Sequence, residues 1–252
     1  LAFGTGDYTW ESWIKFDAIS SSWMTIFQSS EALNNNTFFL SIDNNSVNVG
    51  NQNAFIIQAP HTFVIGQWYH IAASRASGTL RMFVDGTQVG SVTDNTNWSA
   101  SSGNAWIAGN SYGGGVNFHN GELSNMRVVK GTAVYTSSFR PLYEPLTNIT
   151  NTKLLCCNGS SQTSATVTPG TIVQVGNGGA FAHSPFDDPA GFVFGESGSE
   201  SVIKCGSYKG NGSTDGPEIN LGFEPQWILF RNIQENGDEW VMYDSMRGIV
   251  SG

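Results

Sequence analysis

Apolar side chains recur at every second residue in short runs along this chain, and Gly, Asn or Ser closes most of the runs. Successive strand residues point to opposite faces, so this period makes strands, whereas the spacing of three and four that builds an amphipathic helix is hard to find. The chain is expected to be all-β. The firmest local signal is a hairpin: Leu80, Met82 and Val84 alternate into Asp85-Gly86, and the chain returns over residues 87–92. Asp-Gly suits a two-residue turn whose positive φ angles match the twist of the flanking strands.

Strands are also expected at 8–16, 25–28, 38–43, 46–49, 68–75, 104–108, 121–130 and 154–157. In the first, Tyr8, Trp10, Ile14 and Phe16 share one face and Trp13 takes the other, so both faces should be covered. Residues 158–180 turn Ser/Thr/Gly-rich with weak periodicity, as a linker or β-arm would. Beyond them, 191–194, 201–206, 218–220, 226–231 and 239–243 read as strands of a second β unit. The expected division is a sandwich over 1–157, the connecting segment 158–180, and a second, partial β module over 181–252. The chain starts without Met and stops just after a strand-like segment, which suggests an internal piece of a longer polypeptide.

Composition excludes several functions. Charged residues make up 12% of the chain, about half the usual share, and the formal charge is −9 with only 11 Lys and Arg. Scattered cations on an acidic chain do not supply the clustered phosphate contacts of nucleic-acid binding. No apolar run approaches the ~18 residues of a membrane span, so no membrane insertion is expected. Three cysteines, Cys156, Cys157 and Cys205, are too few for a disulfide framework or a cysteine metal site. They read as reduced thiols, with Cys156 and Cys157 pointing to opposite faces of a strand.

A set of blocks in fixed order carries more. Phe3-Gly4-Thr5-Gly6-Asp7 runs on to Trp13, Gly66-Gln67-Trp68-Tyr69-His70 is followed by Arg75, and Phe83-Val84-Asp85-Gly86-Thr87 forms the hairpin. Met126-Arg127-Val128-Val129-Lys130 leads to Tyr135, Phe139 and Pro141, and Leu146-Thr147-Asn148 leads to Cys156. From Phe3 to Cys157 the chain resembles the concanavalin A-like or laminin-G-like jelly roll of bacteriophage tail proteins, of the cyanophage type. The later blocks Tyr208-Lys209-Gly210-Asn211, Gly222-Phe223-Glu224-Pro225-Gln226-Trp227 and Trp240-Val241-Met242-Tyr243-Asp244 resemble a β module that follows it in such proteins. Relatives usually have one more strand before the Phe3 block. The resemblance implies an antiparallel jelly-roll sandwich, a place in the virion tail outside the cell, a homotrimer, and contact with other tail proteins and with host-surface glycan.

The sequence offers little chemistry. Glycosidases on this fold carry a Glu-x-Asp-x-x-Glu strand motif, which is absent, and Glu11 has no acidic partner two or four residues on. The one Gly-x-Ser-x-Gly string, Gly109-Asn110-Ser111-Tyr112-Gly113, runs into the 110–115 stretch that reads as a surface loop, not as the strand-to-helix elbow that would present a serine to His61, His70, His119 or His183, and Asp238-Glu239 beside Asn236-Gly237 reads as a solvated turn. No enzyme, catalytic residue, bound cofactor or metal is therefore expected. Calcium is the one ion to weigh: Asp43, Asn44, Asp94 and Asn95 have suitable oxygens, and they are equally ordinary turn residues. Sugar binding needs an aromatic face flanked by amides. Trp98, between Asn97 and Ser99, and Tyr112, between Ser111 and Gly113, fit best, with His119 near a loop as a third contact. Loop aromatics also pack down onto a sandwich edge, whereas Trp10, Trp13 and Trp68 belong to strands and to the core. The functions left are a host-surface recognition module of a tail fibre, an architectural spacer or docking domain of the virion, and a bacterial cell-surface adhesin.

Overall fold

A computed structural model of the chain describes residues 1–20, 22–31, 34–43, 45–51, 53–99, 102–111, 117–142, 144–176, 178–181, 183–186, 210–214, 216–217, 219, 225–232 and 239–244. Every regular element in them is a β-strand, and none of them is a helix able to cross a membrane. The chain forms two units, Leu1–Asp187 and Asp188–Gly252. Segment 158–180 thus lies within the first unit, where it supplies a short edge strand.

The strands of the first unit are β1 (Tyr8–Phe16), β2 (Met24–Gln28), β3 (Phe39–Ile42), β4 (Ser46–Gly50), β5 (Phe55–Pro60), β6 (Trp68–Ala76), β7 (Thr79–Val84), β8 (Thr87–Thr93), β9 (Trp106–Ile107), β10 (Gly121–Lys130), β11 (Thr152–Cys156) and β12 (Ala165–Val167). They make a seven-stranded sheet in the order β12-β11-β10-β1-β6-β7-β8 and a five-stranded sheet in the order β5-β4-β3-β2-β9, and every pairing is antiparallel. The alternating runs predict the strands, and the resemblance implies the jelly-roll sandwich that they form. Its core joins Trp10, Ile14, Phe16, Ile71, Met82 and Val128 of one sheet to Ile26, Leu40, Ile42, Val47 and Val49 of the other.

The predicted hairpin is β7–β8, and Asp85 (φ 47°) with Gly86 (φ 72°) makes the expected two-residue turn. Gly86 has a second role. The long connection from β10 to β11 crosses the outer face of the seven-stranded sheet, and Phe139 donates its N–H to the Gly86 carbonyl at 2.9 Å. A Cβ on Gly86 would lie 2.0 Å from the Phe139 carbonyl oxygen. This strap covers the outer side of β1, so the central strand is buried on both faces, as its sequence implies.

Three features depart from the sequence reading. Trp68 is half-buried rather than in the core, because its face of β6 lies beyond the strap, where the Lys15 ammonium sits 5.5 Å from the ring centre. Strand β5 has no alternating run to announce it, and it lies at a sheet edge, where Pro60 costs no ladder bond. Cys157 has φ 57°, which turns it out of the strand, and its sulfur comes within 3.8 Å of that of Cys156 instead of facing the other way.

In the second unit, β13 (Trp227–Phe230) and β14 (Val241–Asp244) pair antiparallel, and Phe230 stacks on Tyr243 at 5.7 Å. The strands expected at 191–194 and 201–206, most of 218–220, Cys205 and Asp238 lie outside the described residues.

Candidate functional site

Two buried charge clusters take up Glu11, His70, Asp94 and Trp98, four of the residues that the sequence marks for chemistry. Glu11 lies on the outer face of β1 directly opposite Arg127 of β10 and is fully buried. Its Oε1 accepts from Arg127 Nε (2.9 Å) and Nη2 (2.6 Å), while Oε2 accepts from the Tyr135 hydroxyl (2.7 Å) and meets His70 Nε2 at 3.1 Å. Burial works against the carboxylate charge, but His70, Arg127 and Tyr135 outweigh it and hold the carboxyl below the usual range. Tyr135 belongs to the strap, so Glu11 is a structural anchor with no open side for a substrate.

The second cluster takes Trp98 out of any binding surface. Arg75 is wholly buried over the Tyr8 ring and donates to the carbonyls of Gly4, Gly6 and Thr96 and to Asp94 Oδ2. The same Asp94 oxygen accepts from Trp98 Nε1 at 3.0 Å, and the indole packs edge-on against Phe38 with no exposed surface. A ring stacked on a pyranose needs an open face, and Trp98 has none. Its polar neighbours Asn97 and Ser99 mark a loop correctly, but the backbone bridge between Gly4 and Trp98 turns the side chain inward.

The remaining expected contacts are placed as follows. His119 presses edge-on against Phe16 at 5.2 Å, and its Nε2 lies 3.0 Å from the Lys15 carbonyl. Burial lowers its pKa to about 4, so the imidazole is neutral and braces the loop rather than facing a ligand. Tyr112 and Asn44 lie outside the described residues. Of the possible calcium ligands, Asp43 accepts from Asn45 N, Ser46 Oγ and Asn48 Nδ2, which is turn chemistry, and Asp94 is committed to Arg75. Among the described residues no three His, Cys, Asp or Glu side chains gather as a metal cluster.

Open surface occurs instead where β1 ends. Three loops are tied to that point: Asp17 N donates to the Asn120 carbonyl at 3.0 Å, Gly66 N donates to the Phe16 carbonyl at 2.8 Å, and His119 braces Lys15 as above. Between the 17–23 loop and the 117–120 segment lies a cleft of about 270 Å³, lined by the aromatic rings of Trp23 and Phe118, the amides of Asn117 and Asn120, the hydroxyls of Ser20 and Ser22, and apolar side chains. Trp23 is anchored by edge contacts to Phe39 (5.4 Å) and Phe55 (5.6 Å). Phe118 is 51% exposed. It lies over Gly109, where a Cβ would come within 2.7 Å of the ring. An anchored aromatic wall, an exposed aromatic ring and flanking amides meet the requirement that the sequence assigned to Trp98 and Tyr112.

The family follows from a separate observation. The model for the concanavalin A-like lectin/glucanases superfamily (laminin-G type) matches residues 1–133, from the first residue through β10. The chain belongs to this superfamily. No curated protein matches it. Among solved structures, the chain is similar to a Bacteroides ovatus protein provisionally assigned to carbohydrate binding, at 13% identity and TM-score 0.49, covering 68% of this chain and 56% of that one. It is also similar to the SAP-like pentraxin of Limulus polyphemus, at 20% identity and TM-score 0.40 over 54% and 68% of the two chains. A third is the CBM40 of Ruminococcus gnavus IT-sialidase bound to α2,3-sialyllactose, at 13% identity and TM-score 0.43 over 53% and 80%. The cleft lies wholly inside the part of the lectin/glucanase fold that the family match covers.

Proposed function

We propose that this concanavalin A-like jelly roll is a non-catalytic glycan-binding module, carried by a trimeric bacteriophage tail appendage that meets the host surface. The observation that carries the binding reading is the cleft at the end of β1, where Trp23 and Phe118 stand beside Asn117, Asn120, Ser20 and Ser22. Aromatic faces stack on the C–H side of a sugar ring, and amides and hydroxyls bond its hydroxyl groups. The tail assignment is supported by the ordered blocks from Phe3 to Cys156 and by the later Trp227 and Trp240 blocks. The non-catalytic reading is supported by Glu11, whose oxygens are all engaged by Arg127, His70 and Tyr135.

A second reading, an architectural docking domain, draws on the β13–β14 hairpin. Trp227, Leu229 and Met242 on one face and Ile228, Phe230, Val241 and Tyr243 on the other are all at least 36% exposed. The test is adsorption of the purified full chain to host surface polysaccharide, with reducing ends assayed in the same samples. Retention that falls at least about tenfold in Phe118→Ala, with no sugar released, is the expected result. Release of oligosaccharide, or no retention of the parent chain, overturns the proposal.

A further inference from the structure

We infer that the cleft at the end of β1 takes a single uncharged sugar unit and discriminates against sialylated, uronic or sulfated sugars, an inference that rests on the glycan-binding reading above. None of the nine described residues that line the cleft carries a charge. The nearby charges are either neutralised or negative. Lys15 Nζ sits 2.6 Å from Glu122 Oε1, so its charge is spent on that carboxylate, which also meets His183 Nδ1 at 3.0 Å. Asp17, exposed at the root of the 17–23 loop, adds negative charge beside the cleft.

His119 follows Phe118 directly, and protonation would make it cationic, as it would His183, whose Nδ1 is already engaged by Glu122. His119 is held neutral by burial, and its Nε2 is committed to the Lys15 carbonyl. A carboxylate or sulfate seated against Phe118 would therefore lose hydration with no cation to replace it, and an unpaired desolvated charge is strongly unfavourable. The net charge of −9 adds repulsion at longer range. The volume, about 270 Å³, lies just below the ~300–1,000 Å³ of pockets for drug-sized ligands, which suits one sugar unit rather than a run of polymer.

The test uses the full chain and matched oligosaccharides that differ only at the terminal unit: neutral hexose, N-acetylhexosamine, glucuronic acid, sialic acid and a 6-sulfated hexose. Affinities are measured by titration calorimetry at low and high salt. Neutral termini should bind with an affinity that salt changes less than about twofold, because screening acts only on charge pairs. Acidic termini should bind at least about tenfold more weakly at low salt and recover partly at high salt. A Ser22→Lys variant, which adds a cation at the rim, should narrow that gap. Acidic sugars binding as well as or better than neutral ones, or neutral binding that collapses with salt, overturns this inference and leaves the glycan-binding reading intact. Absence of binding to every probe overturns the reading itself.

Discussion

Replacing Glu11 by Ala tests how the strap is held to the sandwich. The carboxylate has no exposed surface and the Arg127 side chain is 6% exposed, so the substitution strands a guanidinium in a buried site and also removes the acceptor for Tyr135. Breaking one side of such a pair costs about 3–5 kcal/mol. At about 2–4 °C per kcal/mol for a unit of this size, the midpoint of thermal unfolding should fall by roughly 6–20 °C. Tyr135→Phe, which loses one bond to a charged acceptor, should cost about 1.5–3 kcal/mol. Urea unfolding followed by tryptophan fluorescence reads both, since Trp13 lies in the same buried layer. The paired variant Glu11→Leu/Arg127→Met removes both charges together and should recover much of the loss, giving a large coupling energy in the mutant cycle. A loss below about 1 kcal/mol for Glu11→Ala, or strictly additive effects, would refute the anchoring role.

Gly86→Ala should lower stability by at least about 2 kcal/mol in the same urea assay, because φ is 72° and the new Cβ meets the Phe139 carbonyl. Trp98→Phe, which loses the bond to Asp94, should cost about 1.5–3 kcal/mol yet leave polysaccharide adsorption unchanged. Acid should destabilise the protein in two stages. The folded His119 pKa is depressed from 6.5 to about 4, so its contribution is complete above 6.5 and is lost as pH falls toward 4, on the order of 3 kcal/mol. Glu11 is likewise depressed, so its contribution goes only below 4.5. His119→Gln should flatten the upper stage in pH-dependent unfolding and leave the lower one.

Strand positions were legible because burial on one or both faces writes a period of two into the residues themselves, and Asp85-Gly86 marks its turn by the φ angles it must adopt. Strand β5 was hidden because Phe55, Ile56 and Ile57 run together without alternation. The partners of Glu11 could not be read from the chain, since Arg127 lies 116 residues away and only the β1–β10 register sets the two opposite one another. The proposed binding surface has the kind of residues that the sequence reading looked for, but in another place. An aromatic among amides and hydroxyls occurs at Trp23 after Ser20 and Ser22 and at Phe118 between Asn117 and His119, as well as at Trp98. What separates these positions is whether a buried acceptor waits for the ring. Asp94, four residues before Trp98, fixes the indole inward, and no spacing rule reveals that Arg75 has already carried Asp94 into the interior.

The most direct measurement is a two-dimensional NMR titration of the chain with a neutral oligosaccharide, following backbone amide shifts residue by residue. The perturbed amides are expected to cluster at residues 17–24 and 117–120, with the 94–98 loop around Trp98 unchanged. Shifts centred on the Trp98 loop, or spread over the sandwich with none at Trp23, Asn117, Phe118 and Asn120, would contradict that placement.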